Sequence, residues 1–206
     1  MIEKYISFNN RVNYWSTTIA TDDSGVYIAG YIASLNSSKE DVFIAKYNFD
    51  KQLLWLKTWG GVGNDRVFDI AVDSSGYVYV AGYTESLSGN KDALLIKFDA
   101  EGNLIWYRKW SYSNSSNDVA RGVHVDYSGN IYLVGYTEDS GEYDVALIKF
   151  DPNGGLIWHD VWGGSYNDLG YDVITDSQGY VYVCGHTSSY GSGGYDILLL
   201  KYDESG

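Results

Sequence analysis

The chain repeats itself four times, and no other feature limits its possible folds so strongly. A D-x-x-G turn occurs at Asp22–Gly25, Asp73–Gly76, Asp126–Gly129 and Asp176–Gly179, its glycines 51, 53 and 50 residues apart. After each turn comes an alternating stretch closed by glycine and a ring: "VYIAGY", "YVYVAGY", "NIYLVGY" and "YVYVCGH". A variable polar loop follows, then an aspartate and an apolar run ending in lysine, "DVFIAK", "DALLIK", "DVALIK" and "DILLLK". Self-similarity at this period marks stacked units, none of which buries its apolar faces alone.

Each unit reads as four antiparallel strands. The third is apolar at successive positions, as a strand covered on both faces must be. The fourth carries Trp55/Trp59, Trp106/Trp110 or Trp158/Trp162, four residues apart and so on one strand face, which reads as packing between blades. Sheets covered on both faces and set side by side close into a ring, so the expected fold is an all-β propeller of four blades. The last unit stops after three strands at "LLLKYDESG", while "EKYISFNN" at the other end aligns with "LWLKTWGG". The N-terminal strand is therefore expected to complete the last blade and close the ring. On this reading residues 1–16 form the closing strand, about 17–65 blade 1, 66–118 blade 2, 119–168 blade 3, and 169–206 three strands of blade 4. One chain closing on itself is the simpler arrangement. Two chains joined head to tail into eight blades would use the same pairing of ends.

The stretch "DSSGYVYVAGYTESLSGNKDALLIKFDAEGNLIW" and its counterparts resemble the SBBP β-propeller repeats of bacteria and archaea. The resemblance implies propeller blades, often set within extracellular or surface proteins, and it implies no catalytic residues. The first unit departs from the pattern: "FDKQLLW" lacks the second-turn glycine.

Charge narrows the partners. The formal net charge of −13 disfavours unassisted binding to nucleic acid or an anionic membrane. No apolar run is long enough to span a bilayer, and the start lacks the layout of a secretory signal. A complete chain is expected in the cytoplasm, a piece of a longer one outside the cell or on its surface. The single cysteine, Cys184, reads as a small buried side chain in an alternating strand. His124, His159 and His186 show no zinc spacing, and no nucleophile elbow or phosphate loop occurs, so no enzyme is expected.

Two residue sets are candidate sites. An Asn-Asp pair precedes three of the innermost strands: Asn64-Asp65, Asn117-Asp118 and Asn167-Asp168. If Asp65, Asp118 and Asp168 converge on the central channel, they offer the hard oxygen ligands of a Ca²⁺ site. Otherwise Asn-Asp simply turns the chain into the next strand. The second set lies on the loop face, where Tyr143, Tyr190 and Tyr195 join Asn64, Asn117 and Asn167 as a candidate surface for a protein or glycan partner. Asp41, Asp92, Asp144 and Asp196 read as structural, taking backbone N–H bonds or pairing with a neighbouring blade's lysine. The expected function is a non-catalytic interaction scaffold, with a lectin-like binder as the alternative.

Overall fold

A computed structural model describes residues 12–34, 39–85, 89–139 and 141–206. The described chain is all β. Sheet 1 contains β1 (Val12–Asp22), β2 (Gly25–Ser34), β3 (Glu40–Tyr47) and β4 (Leu53–Trp59). Sheet 2 contains β5 (Asp65–Val72), β6 (Val78–Glu85), β7 (Lys91–Phe98) and β8 (Leu104–Trp110). Sheet 3 contains β9 (Asn117–Val125), β10 (Ile131–Glu138), β11 (Tyr143–Phe150) and β12 (Leu156–Trp162). Sheet 4 has β13 (Asp168–Thr175), β14 (Val181–Thr187) and β15 (Asp196–Tyr202). Each sheet is an antiparallel meander in chain order, and the fourth has three strands among the described residues.

The turns explain why the repeat folds this way. Gly76, Gly129 and Gly179 take positive φ (81°, 82°, 86°), a conformation that costs a residue with a Cβ. The turn aspartate accepts N–H bonds from the loop through one oxygen. Its other oxygen takes the hydroxyl of the tyrosine in the next strand, as Asp73 does from Tyr79 at 3.0 Å and Asp176 from Tyr182 at 3.0 Å. The repeated lysine lies over that same ring: Lys46 over Tyr27 at 4.6 Å, Lys149 over Tyr132 at 5.3 Å. In the second turn of unit 1, where glycine is missing, Lys51 itself takes φ 63°.

The repeated lysines thus find partners other than the strand-entrance aspartates, which corrects one sequence expectation. Lys46 pairs with Asp22 at 3.8 Å, and Lys97 and Lys149 donate to the carbonyls of Pro152 and Glu204 in the following unit. The tryptophans do bridge units. Trp55 and Trp158 donate their indole N–H to Ala100 and Glu204 across the junction, both at 3.1 Å. On an outer strand they are half-buried, however, and Trp110 alone of the three pairs is buried. The terminal "KYDESG" folds its own turn, with Gly206 donating to Asp203 and Glu204 docked on sheet 3.

Apolar side chains between sheets form three cores. Tyr27, Ala29, Val42 and Ile44 of sheet 1 meet Val67, Ile70, Val80 and Leu94 of sheet 2. Tyr79, Ala93 and Leu95 of sheet 2 meet Val123, Leu133 and Ala146 of sheet 3. Tyr132, Val134, Val145 and Leu147 of sheet 3 meet Val173, Val183 and Leu198 of sheet 4. The inner strands β1, β5, β9 and β13 pack consecutively, but β13 and β1 do not pack on each other in the same way.

Among the described residues nothing packs on the forward face of sheet 4 as the next sheet packs on the others. Ile197 is 93% exposed, against 0–2% for its counterparts Val42, Ala93 and Val145. Leu199 is 70% exposed where Ile44, Leu95 and Leu147 are buried. Cys184, expected inside, is exposed for the same reason, its counterparts Ala29, Ala81 and Val134 being covered by the following sheet. At the opposite end Ile19 of β1 is 68% exposed, while Ile70, Val123 and Val173 at the same position are buried. Residues 12–16, assigned to the closing strand, instead begin β1 and pair with β2, Val12 opposite Ser34 and Trp15 opposite Tyr31. The rest of that expected strand, 1–11, lies outside the described residues.

Candidate functional site

The Asn-Asp pairs sit where one sheet hands over to the next. Asn64 accepts the N–H of Glu40, at the start of the previous sheet's third strand, and donates to Glu85 at 2.7 Å. Asn117 repeats both bonds with Lys91 and Glu138, at 3.1 and 3.0 Å. Asn167 accepts the N–H of Tyr143 at 3.0 Å. These amides, read as ligand-binding, are occupied in tying neighbouring sheets together. At the first junction Arg66 and Glu40 add a two-pronged ion pair, and Arg66 lies over the Tyr31 ring at 4.4 Å.

Asp65, Asp118 and Asp168 are wholly buried, each at its own junction. Among the described residues no three acidic, histidine or cysteine side chains group as a metal site. The convergence of these aspartates on one channel ion is therefore corrected. Each meets a different partner carboxylate: Asp65 lies near Asp41, Asp118 near Asp92, and Asp168 near Asp144. Burial, and then the neighbouring Asp65, hold the Asp41 carboxyl above its ordinary range. Asp92 is raised by burial and by Asp118, opposed by Lys109 at 3.8 Å. Asp144 is raised by burial, then by Asp168 and Glu142.

The three tyrosines are not brought together by ring contacts. Tyr143 packs edge-on to Tyr136, Tyr190 lies on Trp162 at 5.1 Å, and Tyr195 on His186 at 4.4 Å. Parts of the variable loops, 35–38, 86–88 and 140, lie outside the described residues. Near the inner strands, Asp69 crosses two junctions. It takes the Thr18 hydroxyl of sheet 1 at 3.2 Å and the Val123 N–H of sheet 3 at 2.9 Å. Its repeat counterpart Asp172 accepts its own neighbour's N–H from Val173 and is exposed beside Ile174, Cys184 and Leu199. Sequence inspection passed over Asp69 and Asp172, although their shared position in the repeat was visible.

Residues 58–87 match the model of the SBBP β-propeller repeat, which bears out the resemblance. No curated protein matches the chain. Among solved structures, a GH43 endo-arabinanase from Bacillus licheniformis is similar at 14% identity and TM-score 0.47, over 97% of this chain and 78% of that one. The tail fiber of Staphylococcus aureus phage P68 matches at 11% identity and TM-score 0.33, covering 98% and 52%. A glucose dehydrogenase matches at 11% and 0.30, covering 92% and 98%. Two of these three are enzymes by name, so the reading of a non-catalytic scaffold, with a lectin-like binder as alternative, is corrected. At such identities the matches carry no activity to this chain, in either direction.

Proposed function

We propose, from the SBBP β-propeller repeat at residues 58–87, that this chain is a four-blade arc that builds a propeller by assembling head to tail with a second copy. The forward face of blade 4 of each copy packs on blade 1 of the other, giving eight blades. The observation that carries the reading is the exposure of Ile197 and Leu199, at positions the other three blades bury.

Two further features support it. The bare faces are complementary by repeat: Ile19 stands where Ile70, Val123 and Val173 fill the preceding blade's surface. Covering a side chain such as Ile197 or Leu199 contributes about 1.5–3 kcal/mol, enough that a few anchors decide association. Asp172 also repeats the position from which Asp69 takes the Val123 N–H, so it is placed to take the N–H of Ile19 in the second copy. Among the described residues the outer edge of β15 is unpaired, and such an edge is a template for another strand.

Mixing variants tests the head-to-tail geometry. Ile197→Asp and Ile19→Asp each break association when alone. Mixed, they recover one intact interface, Ile197 of one copy against Ile19 of the other, and a mass of two chains returns. If Ile19→Asp leaves association untouched, or if the mixture stays dissociated, the head-to-tail reading fails.

A further inference from the structure

Each described junction brings two aspartates together, and the three differ in what surrounds the pair. At the second, Lys109 stands 3.8 Å from Asp92. At the first, Lys39 is the cation that faces Asp41. At the third, Asp168 receives the hydroxyls of Thr187 and Ser189 and the N–H groups of Gly164 and Ser189. Four donors hold it as a carboxylate. Its neighbour Asp144 lacks such support, for its buried Oδ1 has no hydrogen-bond partner among the described residues. Asp65 Oδ1 and Asp118 Oδ1 are also without partners, but there the bare oxygen belongs to the inner-strand aspartate and a lysine faces the other member of the pair. The charged groups that face Asp144 are both acids, Asp168 of β13 and Glu142 before β11.

The repeat shows which group is missing. In sheet 2, Lys109 of β8 lies opposite Leu94, two residues beyond Asp92. In sheet 3 the same place in β12, opposite Ala146 and two residues beyond Asp144, is Val161. An apolar side chain thus stands where the second junction has its ammonium. Gly163 closes on Asp144 from the chain just after β12, so near that any Cβ there would collide with Oδ1, while the next residue, Gly164, donates to Asp168 at 2.8 Å. The Gly163-Gly164 step therefore threads between the two carboxyl groups. Thr137, opposite Asp144 in the ladder, brings no charge.

We infer that the seam between blades 3 and 4 is an acid-tightened joint, in which Asp144 takes up a proton where the second junction uses the ammonium of Lys109. A buried carboxylate oxygen with no donor is costly, and a second carboxylate nearby adds repulsion. Ionised, Asp144 works against Asp168 and Glu142 and loosens the seam. Protonated, it sheds that charge while Asp168 keeps its own, held by its four donors. The folded chain binds this proton more tightly than the unfolded chain does. The joint's contribution is therefore fully present below the ordinary aspartate range and is lost as pH rises through the higher folded value. Blade 4 is thus seated most firmly in mildly acidic solution.

Exchanging the proton for a lysine tests the joint. Val161→Lys places an ammonium where Lys109 stands in the repeat, and Val161→Met supplies a similar stem without the charge. Thermal unfolding of the full chain is followed at pH 8 and at pH 5. Val161→Lys should exceed Val161→Met by about 2 °C in Tm at pH 8 and lose that advantage at pH 5. Asp144→Asn, which removes the charge outright, should exceed wild type at pH 8 by a gap that closes at pH 5. The paired Val161 variants decide the matter should Asp144→Asn fail to fold. A gap between Asp144→Asn and wild type that is equal at the two pH values overturns the proposal. So does a Val161→Lys chain with no advantage over Val161→Met at pH 8.

Discussion

The forward faces of blades 2 and 4 have nearly the same residues and opposite fates. Blade 2 presents Tyr79, Ala81, Ala93 and Leu95, all buried under blade 3. Blade 4 presents Tyr182, Cys184, Ile197 and Leu199, of which the last three are exposed. If anything blade 4 is the more apolar, since Ile197 replaces Ala93. The repeat therefore specifies a sticky face on every blade, and burial depends on whether another blade follows. A single blade's sequence cannot settle its own environment, because the next unit supplies half of each core.

The comparison is broken most severely by truncating its buried side. Leu95→Ala should cost about 2–5 kcal/mol in urea unfolding, whereas Leu199→Ala in the dissociated chain should stay within about 0.5 kcal/mol. Equal losses would mean that Leu199 is covered within one chain. The next effect concerns association. Ile197→Asp should weaken dimerisation at least a hundredfold by sedimentation, about 2.7 kcal/mol, while leaving the far-ultraviolet spectrum unchanged.

Smaller effects sharpen the contrast among blades. Lys51 holds φ 63° where Gly102 and Gly154 hold 77° and 79°, so Lys51→Gly should stabilise by about 1 kcal/mol in thermal unfolding. No gain would mean that contacts of the lysine offset its backbone cost. The smallest effect is a pH dependence. Asp144 has a raised folded pKa, from burial first and then Asp168 and Glu142, so the folded chain binds its proton more tightly than the unfolded chain. Its contribution to stability is present below the ordinary aspartate pKa and declines as pH rises through the folded value. Asp144→Asn should therefore raise the Tm at pH 7 more than at pH 4, whereas Asp92→Asn, losing Lys109, should gain less.

Much of this was legible in the residues. The turn glycines, the apolar third strands and the Trp pairs marked the described strands, because each rests on local periodicity or on a positive φ, but not that β1 starts at Val12. Asn64, Asn117 and Asn167 stood out by spacing, but their bonds to Glu40, Lys91 and Tyr143 cross between units and need coordinates. The exposure of Cys184 was hidden because its strand alternates as its buried counterparts do.

The most direct test of the assembly is the molar mass of the chain in solution, by light scattering across a dilution series. Head-to-tail closure predicts about 46 kDa, twice the 23.0 kDa chain, falling to the single-chain value on dilution or with Ile197→Asp. A mass of 23.0 kDa at every concentration would contradict it.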